Sequence, residues 1–183
     1  MDIFSGIGSF DYSLKQLGGQ CVLACDMDQN ANSTYIFNNG VVPHENIFDL
    51  QLQQIPDCDL LCAGFACQAF SNIGFKKGWK DTRSQVFYPL FNILKYKQIP
   101  WILLENVQGL VNLKKGQVFN TILSHLEDLN NECFCKVLNC SDYGIPQNRK
   151  RLFIVGFHKR ILQNTGSRDY MFELPPKMRL KCA

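Results

Sequence analysis

A short apolar run near the middle of the chain most constrains how this protein can fold. Leu60 to Ala63 are apolar and Gly64 follows them, a pattern that predicts a buried strand ending at a glycine. Cys67 comes shortly afterwards, at the carboxyl end of this predicted strand. Open α/β sheets bind their ligands at the carboxyl ends of their strands. Cys67 is therefore a candidate nucleophile, provided that other residues at the same edge support that chemistry.

Most free cysteines in proteins are small buried hydrophobic residues. Because the chain has nine cysteines, the possibility that Cys67 is only a structural residue has to be considered first. The number is odd and no export signal is visible, which favours reduced thiols in the cytosol. Zinc binding is the alternative, because Cys21/Cys25 and Cys58/Cys62 share one spacing. Each pair falls within an apolar strand-like run and no C-x-x-C knuckle occurs, so we predict no metal site.

The beginning of the sequence predicts a strand, a glycine turn and a helix. Asp2 to Ser5 form the strand, Gly6 and Gly8 flank the turn, and Phe10 to Leu17 form the helix. This arrangement is the usual cradle for a nucleotide-like ligand. A dinucleotide fingerprint would require a third glycine where Asp11 stands, so a nicotinamide or flavin dinucleotide is disfavoured.

A second predicted strand, Cys21 to Cys25, delivers two carboxylates to the same edge. A carboxylate at this position accepts hydrogen bonds from ribose hydroxyls in other doubly wound sheets. Asp28 is equally well explained as the cap of a helix over Gln29 to Phe37. Asp26 is therefore the better ligand candidate.

The remaining pattern continues the alternation of strands and helices. An extended piece is predicted around Ile47-Phe48, and the loop from Asn72 to Ser84 carries cations that suit either phosphates or plain solvent exposure. Trp101 to Leu104 predict a buried strand that delivers Glu105-Asn106 to the ligand edge. The other predicted elements are helices over Gln85 to Tyr96 and Gly116 to Leu129, and strands over Cys133 to Leu138 and Leu152 to Phe157, with Arg149 and Arg151 between the two strands.

Length and composition narrow the possible classes of protein. The chain has 183 residues, of which 46% are hydrophobic and 19% charged, as expected for one globular domain with a proper core. The formal net charge of +3 is compatible with a nucleic-acid partner without arguing for one. The absence of a signal peptide and of a long apolar span predicts a cytoplasmic protein that does not enter a membrane.

Four short motifs at predicted strand ends occur in the order and spacing of one known family. The chain resembles the catalytic domain of the bacterial cytosine-5 DNA methyltransferases of restriction–modification systems, from residue 2 to about residue 157. The resemblance implies an α/β fold, a three-layer sandwich of the S-adenosylmethionine-dependent methyltransferase type (Rossmann-like), with five parallel strands and an antiparallel hairpin at one side. The matching segments are Asp2 to Gly8 (cofactor motif), Gly64 to Ser71 (catalytic Pro-Cys motif, with one change), Glu105-Asn106-Val107, and Gln147-x-Arg149-x-Arg151.

The resemblance also implies the chemistry. Carbon 5 of cytosine becomes nucleophilic only when a thiolate adds to carbon 6, and this role falls to Cys67. Glu105 is implied to share a proton with N3 of the base, and Arg151 to hold its carbonyl oxygen, assisted by Arg149. Either arginine is alternatively a surface or phosphate contact, Arg149 more so. The target base must be flipped out of double-stranded DNA, and the segment from Gln68 to Arg83 resembles the family's mobile loop.

S-adenosylmethionine is the implied cofactor. Phe4 is implied to stack on the adenine, Gly6 to Gly8 to hold the methionine end, and Asp26 to bind the ribose hydroxyls. Asn46 replaces an acid that binds the adenine amino group, and its carbonyl oxygen can still accept a hydrogen bond. The full set of implied cofactor-binding residues is Phe4, Gly6, Ile7, Gly8, Asp26, Met27, Asn46, Ile47, Gly64 and Val86.

Departures from the family pattern leave several interpretations open. Ala66 stands where a proline normally precedes the nucleophile, so the turn lacks a fixed φ angle. We predict a catalytic domain over residues 1–160 and an irregular tail over 161–183, without the family's target-recognition domain. The chain is then the catalytic part of a two-chain enzyme whose partner supplies recognition, a silent remnant, or a regulatory protein that binds S-adenosylmethionine or DNA. A transfer-RNA methyltransferase of the related eukaryotic branch is a further alternative.

Overall fold

The fold is built around one mixed β-sheet. The computed structural model describes residues 1–65, 87–164 and 172–177. Within them six strands form a single sheet in the order β2-β1-β3-β4-β6-β5. The first four strands are parallel, and β6 is antiparallel to both of its neighbours. The strands are β1 (Asp2–Ile3), β2 (Ala24–Cys25), β3 (Leu60–Gly64), β4 (Trp101–Val107), β5 (Asn131–Asn139) and β6 (Lys150–His158).

The helices lie on both faces of this sheet. They are α1 (Ser9–Lys15), α2 (Gln29–Asn39), α3 (Phe87–Lys97), α4 (Gln117–Asp128) and α5 (Lys159–Asn164). Ile3 and Ala63 share one face and join the apolar core that includes the buried sides of α3 and α4. Asp2 and Cys62 point to the other face, where α1 contributes Asp11 beside Asp2. No described helix is long and apolar enough to cross a membrane.

The apolar strand that dominated the sequence is the centre of this sheet. Leu61, Cys62 and Ala63 of β3 are completely buried, because β1 and β4 flank the strand and side chains cover both of its faces. Its last residue, Gly64, pairs in register with Glu105 of β4. The predicted α/β class, with an antiparallel hairpin at one side, is confirmed.

The predicted strands Asp2 to Ser5 and Cys21 to Cys25 are shorter in the structure, Asp2–Ile3 and Ala24–Cys25. Two further local expectations were wrong. The Ile47-Phe48 piece is a 3₁₀ turn, Ile47–Asp49, so four parallel strands accompany the hairpin in the described residues instead of five. The side chain of Asn46 explains the turn, because its Oδ1 accepts a hydrogen bond from the amide of Phe48 at 3.1 Å. Glu105 and Asn106 lie within β4, which continues to Val107, and not beyond its end.

The described part of the predicted tail is anchored to the hairpin. The ring of Phe172 lies 5.5 Å from that of Phe134 and 5.1 Å from that of Phe157. Tyr143 Oη donates a hydrogen bond to the carbonyl of Pro175 at 2.9 Å, and Lys177 forms an ion pair with Asp142 at 2.9 Å. Helix α5 crosses the predicted boundary between residues 160 and 161. The division into domains stays a prediction.

Candidate active site

The glycine turn after β1 adopts the backbone that its sequence requires. Phe4, Gly6 and Gly8 have positive φ angles of 59°, 54° and 91°. A Cβ atom on Gly8 would lie 2.5 Å from Asn39 Nδ2 and 2.9 Å from the ring of Tyr35, closer than packed atoms approach. Helix α2 therefore sits directly behind the turn, and glycine at position 8 is required by both conformation and space.

Asp26 braces this turn from the end of β2. Its Oδ2 accepts a hydrogen bond from the amide of Gly6 at 2.7 Å, and its Oδ1 accepts one from the amide of Asp28 at 2.9 Å. Each carboxylate oxygen keeps a second lone pair for a ribose hydroxyl. Asp28 itself caps α2 by accepting from the amides of Asn30 and Ala31, as predicted. The turn and Asp26 thus fit a nucleoside with a negatively charged or carboxylate end.

The other predicted cofactor residues differ in how accessible they are. Met27 is 84% exposed and Ile7 is also exposed, so both side chains are available to a ligand at this edge. Asn46 uses its Oδ1 on Phe48 and donates from Nδ2 to Asp49 at 3.0 Å. Ile47 is buried in the apolar core. Cofactor contacts by these residues stay predictions, and an adenine at Asn46 would have to share an oxygen that already caps the turn.

Glu105 and Arg151 form an ion pair at the carboxyl edge. Arg151 Nε lies 2.8 Å from Glu105 Oε1, and each side chain remains about one quarter exposed (22% and 24%). The antiparallel pairing of β4 with β6 brings the two residues together, since Val107 is directly opposite Arg151. The predicted partners in base recognition are therefore adjacent. Arg149 is exposed and directly precedes β6, and its carbonyl accepts a hydrogen bond from the amide of Cys140.

Gly64 connects this ion pair to the glycine turn. A Cβ atom at Gly64 would lie 3.7 Å from Glu105 Oε2 and 3.8 Å from the carbonyl oxygen of Phe4. The same position would contact the ring of Phe10, 3.7 Å away. Phe10 was not among the predicted site residues. Its position in the sequence just after the glycine turn could have identified it.

Asn106 is a second residue whose role the sequence did not predict. Its side chain is buried and donates from Nδ2 to the carbonyl of Phe65 at 2.6 Å, while its Oδ1 accepts from the amide of Val107 at 2.9 Å. Phe65 is the last described residue before Cys67. Asn106 therefore fixes the backbone from which the predicted nucleophile extends.

Two predicted site residues lie outside the described residues. These are Cys67 and Val86, together with Ala66 and the loop from Gln68 to Arg83. The described cysteines within β2 and β3 are poorly suited to the role of nucleophile. Burial raises the pKa of both Cys25 and Cys62 to about 12, so their thiolates are scarce at neutral pH. The described ranges contain no group of three or more ligands that could hold a metal ion.

Comparison of the sequence with known proteins identifies one protein family. The model of the C-5 cytosine-specific DNA methylase family matches residues 1–180. The type II methyltransferase M.DsaV of Dactylococcopsis salina is 39% identical over 98% of this chain and 50% of its own length. M.HpaII of Haemophilus parainfluenzae is 40% identical over 96% of this chain and 49% of its own. The chain thus spans about half the length of these curated relatives.

Solved structures agree with this similarity. The Dnmt2 methyltransferase of S. pombe superposes with a TM-score of 0.72 at 26% identity, covering 92% of this chain and 56% of that one. A DNMT2 mutant of Spodoptera frugiperda gives a TM-score of 0.75 at 28% identity, covering 97% of this chain and 55% of the other. Both alignments extend over nearly the whole chain.

Proposed function

The chain belongs to the C-5 cytosine-specific DNA methylase family, and we propose that it forms the catalytic part of a DNA (cytosine-5-)-methyltransferase. Its substrate is cytosine in double-stranded DNA, and the methyl donor is S-adenosylmethionine. One observation carries the proposal beyond family membership. The Glu105–Arg151 ion pair, with Nε and Oε1 2.8 Å apart, lies beside the glycine turn through Gly64, so base chemistry and cofactor binding share one edge.

The cofactor fits the residues at the turn. The amide of Gly6 and the left-handed backbone at Phe4 and Gly8 make a concave turn at the first helix, and Asp26 offers its remaining lone pairs to the ribose. The exposed side chain of Met27 is available to the adenine, and Ile7, also exposed, lies in the turn that holds the methionine end. When bound there, S-adenosylmethionine supplies an electrophilic methyl group.

The protein's own groups make cytosine able to accept that methyl group. In the proposed reaction the Cys67 thiolate adds to carbon 6, and the C5–C6 electron pair becomes available at carbon 5. Glu105, protonated when the base is bound, shares its proton with N3, and Arg151 stabilises the carbonyl oxygen as the ring gains electron density. N3 returns that proton to Glu105 when the aromatic ring is restored. After methyl transfer, loss of the carbon 5 proton to a base restores the double bond and expels Cys67 as thiolate. Asn106 serves this step by holding Phe65, two residues before the nucleophile.

The ion pair has a second consequence for the base-recognition step. Arg151 Nε is engaged by Glu105, while its Nη1 donates to the carbonyl of Lys150 at 2.9 Å. The guanidinium is thereby fixed at two of its donors, and the remaining donor hydrogens can meet the cytosine oxygen. A guanidinium held in advance loses less side-chain entropy on binding a planar group.

DNA recognition requires groups other than the catalytic and cofactor-binding residues. Flipping a base costs a few kcal/mol, which has to come from contacts with the duplex. The exposed Arg149 and the cations between Asn72 and Ser84 suit phosphates, which position DNA without reading its sequence. We propose that a target-recognition domain, in a second chain or in additional sequence, supplies the base-specific contacts.

Methyl transfer tests the proposed activity. Incorporation of tritiated methyl groups into mixed-sequence DNA would be measured at a stated salt concentration, for the chain alone and for its assembly with a recognition-domain partner. Cys67→Ser should abolish incorporation and leave S-adenosylmethionine binding unchanged, because the thiol contacts the base and not the cofactor. Wild-type turnover by Cys67→Ser would overturn the assignment of the nucleophile.

The role of Glu105 calls for a separate measurement. Glu105→Gln should slow the single-turnover rate without weakening DNA binding, because the amide keeps a hydrogen bond but cannot donate a proton as readily. An unchanged single-turnover rate with weakened DNA binding would make Glu105 a structural residue. No incorporation with any partner, together with intact cofactor binding, would favour a silent or regulatory protein.

A further inference from the structure

The outer strand of the β5–β6 hairpin forms one end of the sheet. Strand β5 has β6 on one side, and within the described residues no strand pairs with it on the other. Natural edge strands are usually short, or are interrupted by a proline or a β-bulge. Strand β5 has nine residues without a proline, and its register with β6 is continuous. It is therefore a long edge of the kind to which another strand adds.

The main-chain groups that face away from β6 belong to alternate residues of β5. At one end of the hairpin the amide of Lys159 donates to the carbonyl of Asn130 at 2.8 Å, and at the other the amide of Cys140 donates to the carbonyl of Arg149 at 3.1 Å. In an antiparallel ladder, residues that bond to the partner strand alternate with residues that do not. The outward N–H and C=O groups therefore belong to the odd-numbered residues, which are Asn131, Cys133, Cys135, Val137 and Asn139.

The middle of this edge is uncovered on both faces of the strand. Cys135 and Val137 are exposed on one face, and Glu132 and Lys136 are exposed on the other. The tail packs against Phe134 at the centre of the second face and leaves its two charged neighbours in solvent. In the part of the chain that the structure describes, side chains therefore leave the centre of the edge accessible to a partner strand.

The charges of β5 are arranged symmetrically about Phe134. Glu132 lies two residues before it and Lys136 two residues after it, so all three share one face of the strand. Neither charged side chain forms an ion pair among the described residues. An antiparallel copy of β5, related by a two-fold axis at Phe134, places each Glu132 opposite Lys136 of the second copy. Opposite charges directly across two strands stabilise the pairing, and like charges weaken it.

Other registers of the same two strands lose this complementarity. The outward groups bond only when odd-numbered residues face odd-numbered residues, so the two-fold axis has to pass through a residue. With the axis at Cys135, both charged residues would face apolar residues of the second copy. With the axis at Lys136, two lysines would face each other. The sequence of β5 therefore complements a second copy of itself best with the axis at Phe134.

We propose that two copies of this chain associate through β5, with the two strands antiparallel about a two-fold axis at Phe134 and the two sheets joined into one. The main chain of Cys133 then bonds to that of Cys135 of the second copy, and Glu132 forms an ion pair with Lys136 of the second copy. Such a contact is closed, because each copy uses its β5 edge once. The proposal concerns an edge strand outside the catalytic residues and does not depend on the methylation chemistry.

Charge reversal tests the register. Sedimentation equilibrium gives the dimer dissociation constant of the chain, in a reducing buffer so that disulfides do not link the copies. Glu132→Lys and Lys136→Glu should each weaken association roughly tenfold, because each places like charges at both symmetric contacts. The double variant restores opposite charges and should return to within about threefold of the wild type. Glu45→Lys, which changes the net charge equally at an exposed residue outside β5, is the matched control and should have no such effect.

Two outcomes of this experiment would overturn the proposal. The first is a chain that stays monomeric up to about 1 mM, where even a weak specific contact is populated. The second is a double variant that associates as weakly as the single variants, because that result would exclude the contact between Glu132 and Lys136.

Hydrogen exchange identifies what occupies the edge. The outward amides of Cys133, Cys135 and Val137 should exchange more slowly as the protein concentration rises, whereas the amide of Phe134, which faces β6, should be protected at every concentration. Protection of the outward amides that does not change with concentration would mean that the chain's own residues cover the edge. That result would also overturn the proposal.

A proline provides an independent test of strand pairing. Cys135→Pro removes an outward N–H group and leaves the bonds to β6 in place, so it should abolish dimer formation, whereas Cys135→Ser should not. Undiminished association of the proline variant would refute pairing through this edge. If Cys135→Pro does not fold, the charge-reversal variants decide, because they change only exposed side chains.

Discussion

Asp2 makes the stability of this domain depend on pH in a predictable direction. Burial raises the pKa of its carboxyl from the ordinary 3.8 to about 7, and the nearby Asp11 and Asp26 raise it further while the Met1 ammonium opposes them. The structural basis is plain, because the side chain is buried and both of its oxygens lack a hydrogen-bond partner. An ionised carboxylate in that position is strongly disfavoured.

The sign follows from proton binding by the folded and unfolded states. Between the two pKa values the folded chain keeps the Asp2 proton while the unfolded chain has released it, so the free energy of unfolding falls as pH rises. The contribution of protonated Asp2 to the free energy of unfolding is fully present below pH 3.8 and is lost by about pH 7. Each pKa unit is worth 1.36 kcal/mol, so the whole change is at most about 4 kcal/mol.

Urea unfolding of the wild type and of Asp2→Asn, from about pH 4 to about pH 8, isolates this contribution because other groups titrate equally in both. The stability of the variant relative to the wild type should increase across this range, by up to about 4 kcal/mol. Asp57→Asn is the matched control, since Asp57 is an exposed carboxylate paired with Lys97 and should show a change below about 1 kcal/mol. A difference between Asp2→Asn and wild type that does not vary with pH would refute the reasoning.

Two further substitutions test the carboxyl edge. Gly8→Ala should destabilise the chain by more than about 2 kcal/mol in urea unfolding, because its Cβ would overlap Asn39 and Tyr35. A Cβ at Gly6 would have no atom within 4 Å, so Gly6→Ala should cost about 1 kcal/mol from the backbone conformation alone. Equal losses would contradict the packing argument. Asn106→Ala should cost about 1–3 kcal/mol by removing the buried hydrogen bond that Asn106 Nδ2 donates to the carbonyl of Phe65, and should lower kcat more than it raises KM for DNA. A normal kcat in a folded variant would remove Asn106 from the positioning of the nucleophile.

The sheet was largely predictable from sequence because its strands are short apolar runs with abrupt ends. The predicted strand Leu60 to Ala63 lengthens by only one residue in the structure. Trp101 to Leu104 lengthens by three, since Glu105 and Asn106 continue to pair with β6 even though they are polar. A polar residue ends an apolar run without ending a strand, and only the neighbouring strand decides where pairing stops.

Sequence reasoning failed at one local side-chain cap and at one side chain that reaches a partner far along the chain. The 3₁₀ turn at Ile47 depends on Asn46 capping its own backbone, a local interaction that competes with the extended state. Asn106 reaches Phe65 across 41 positions of sequence.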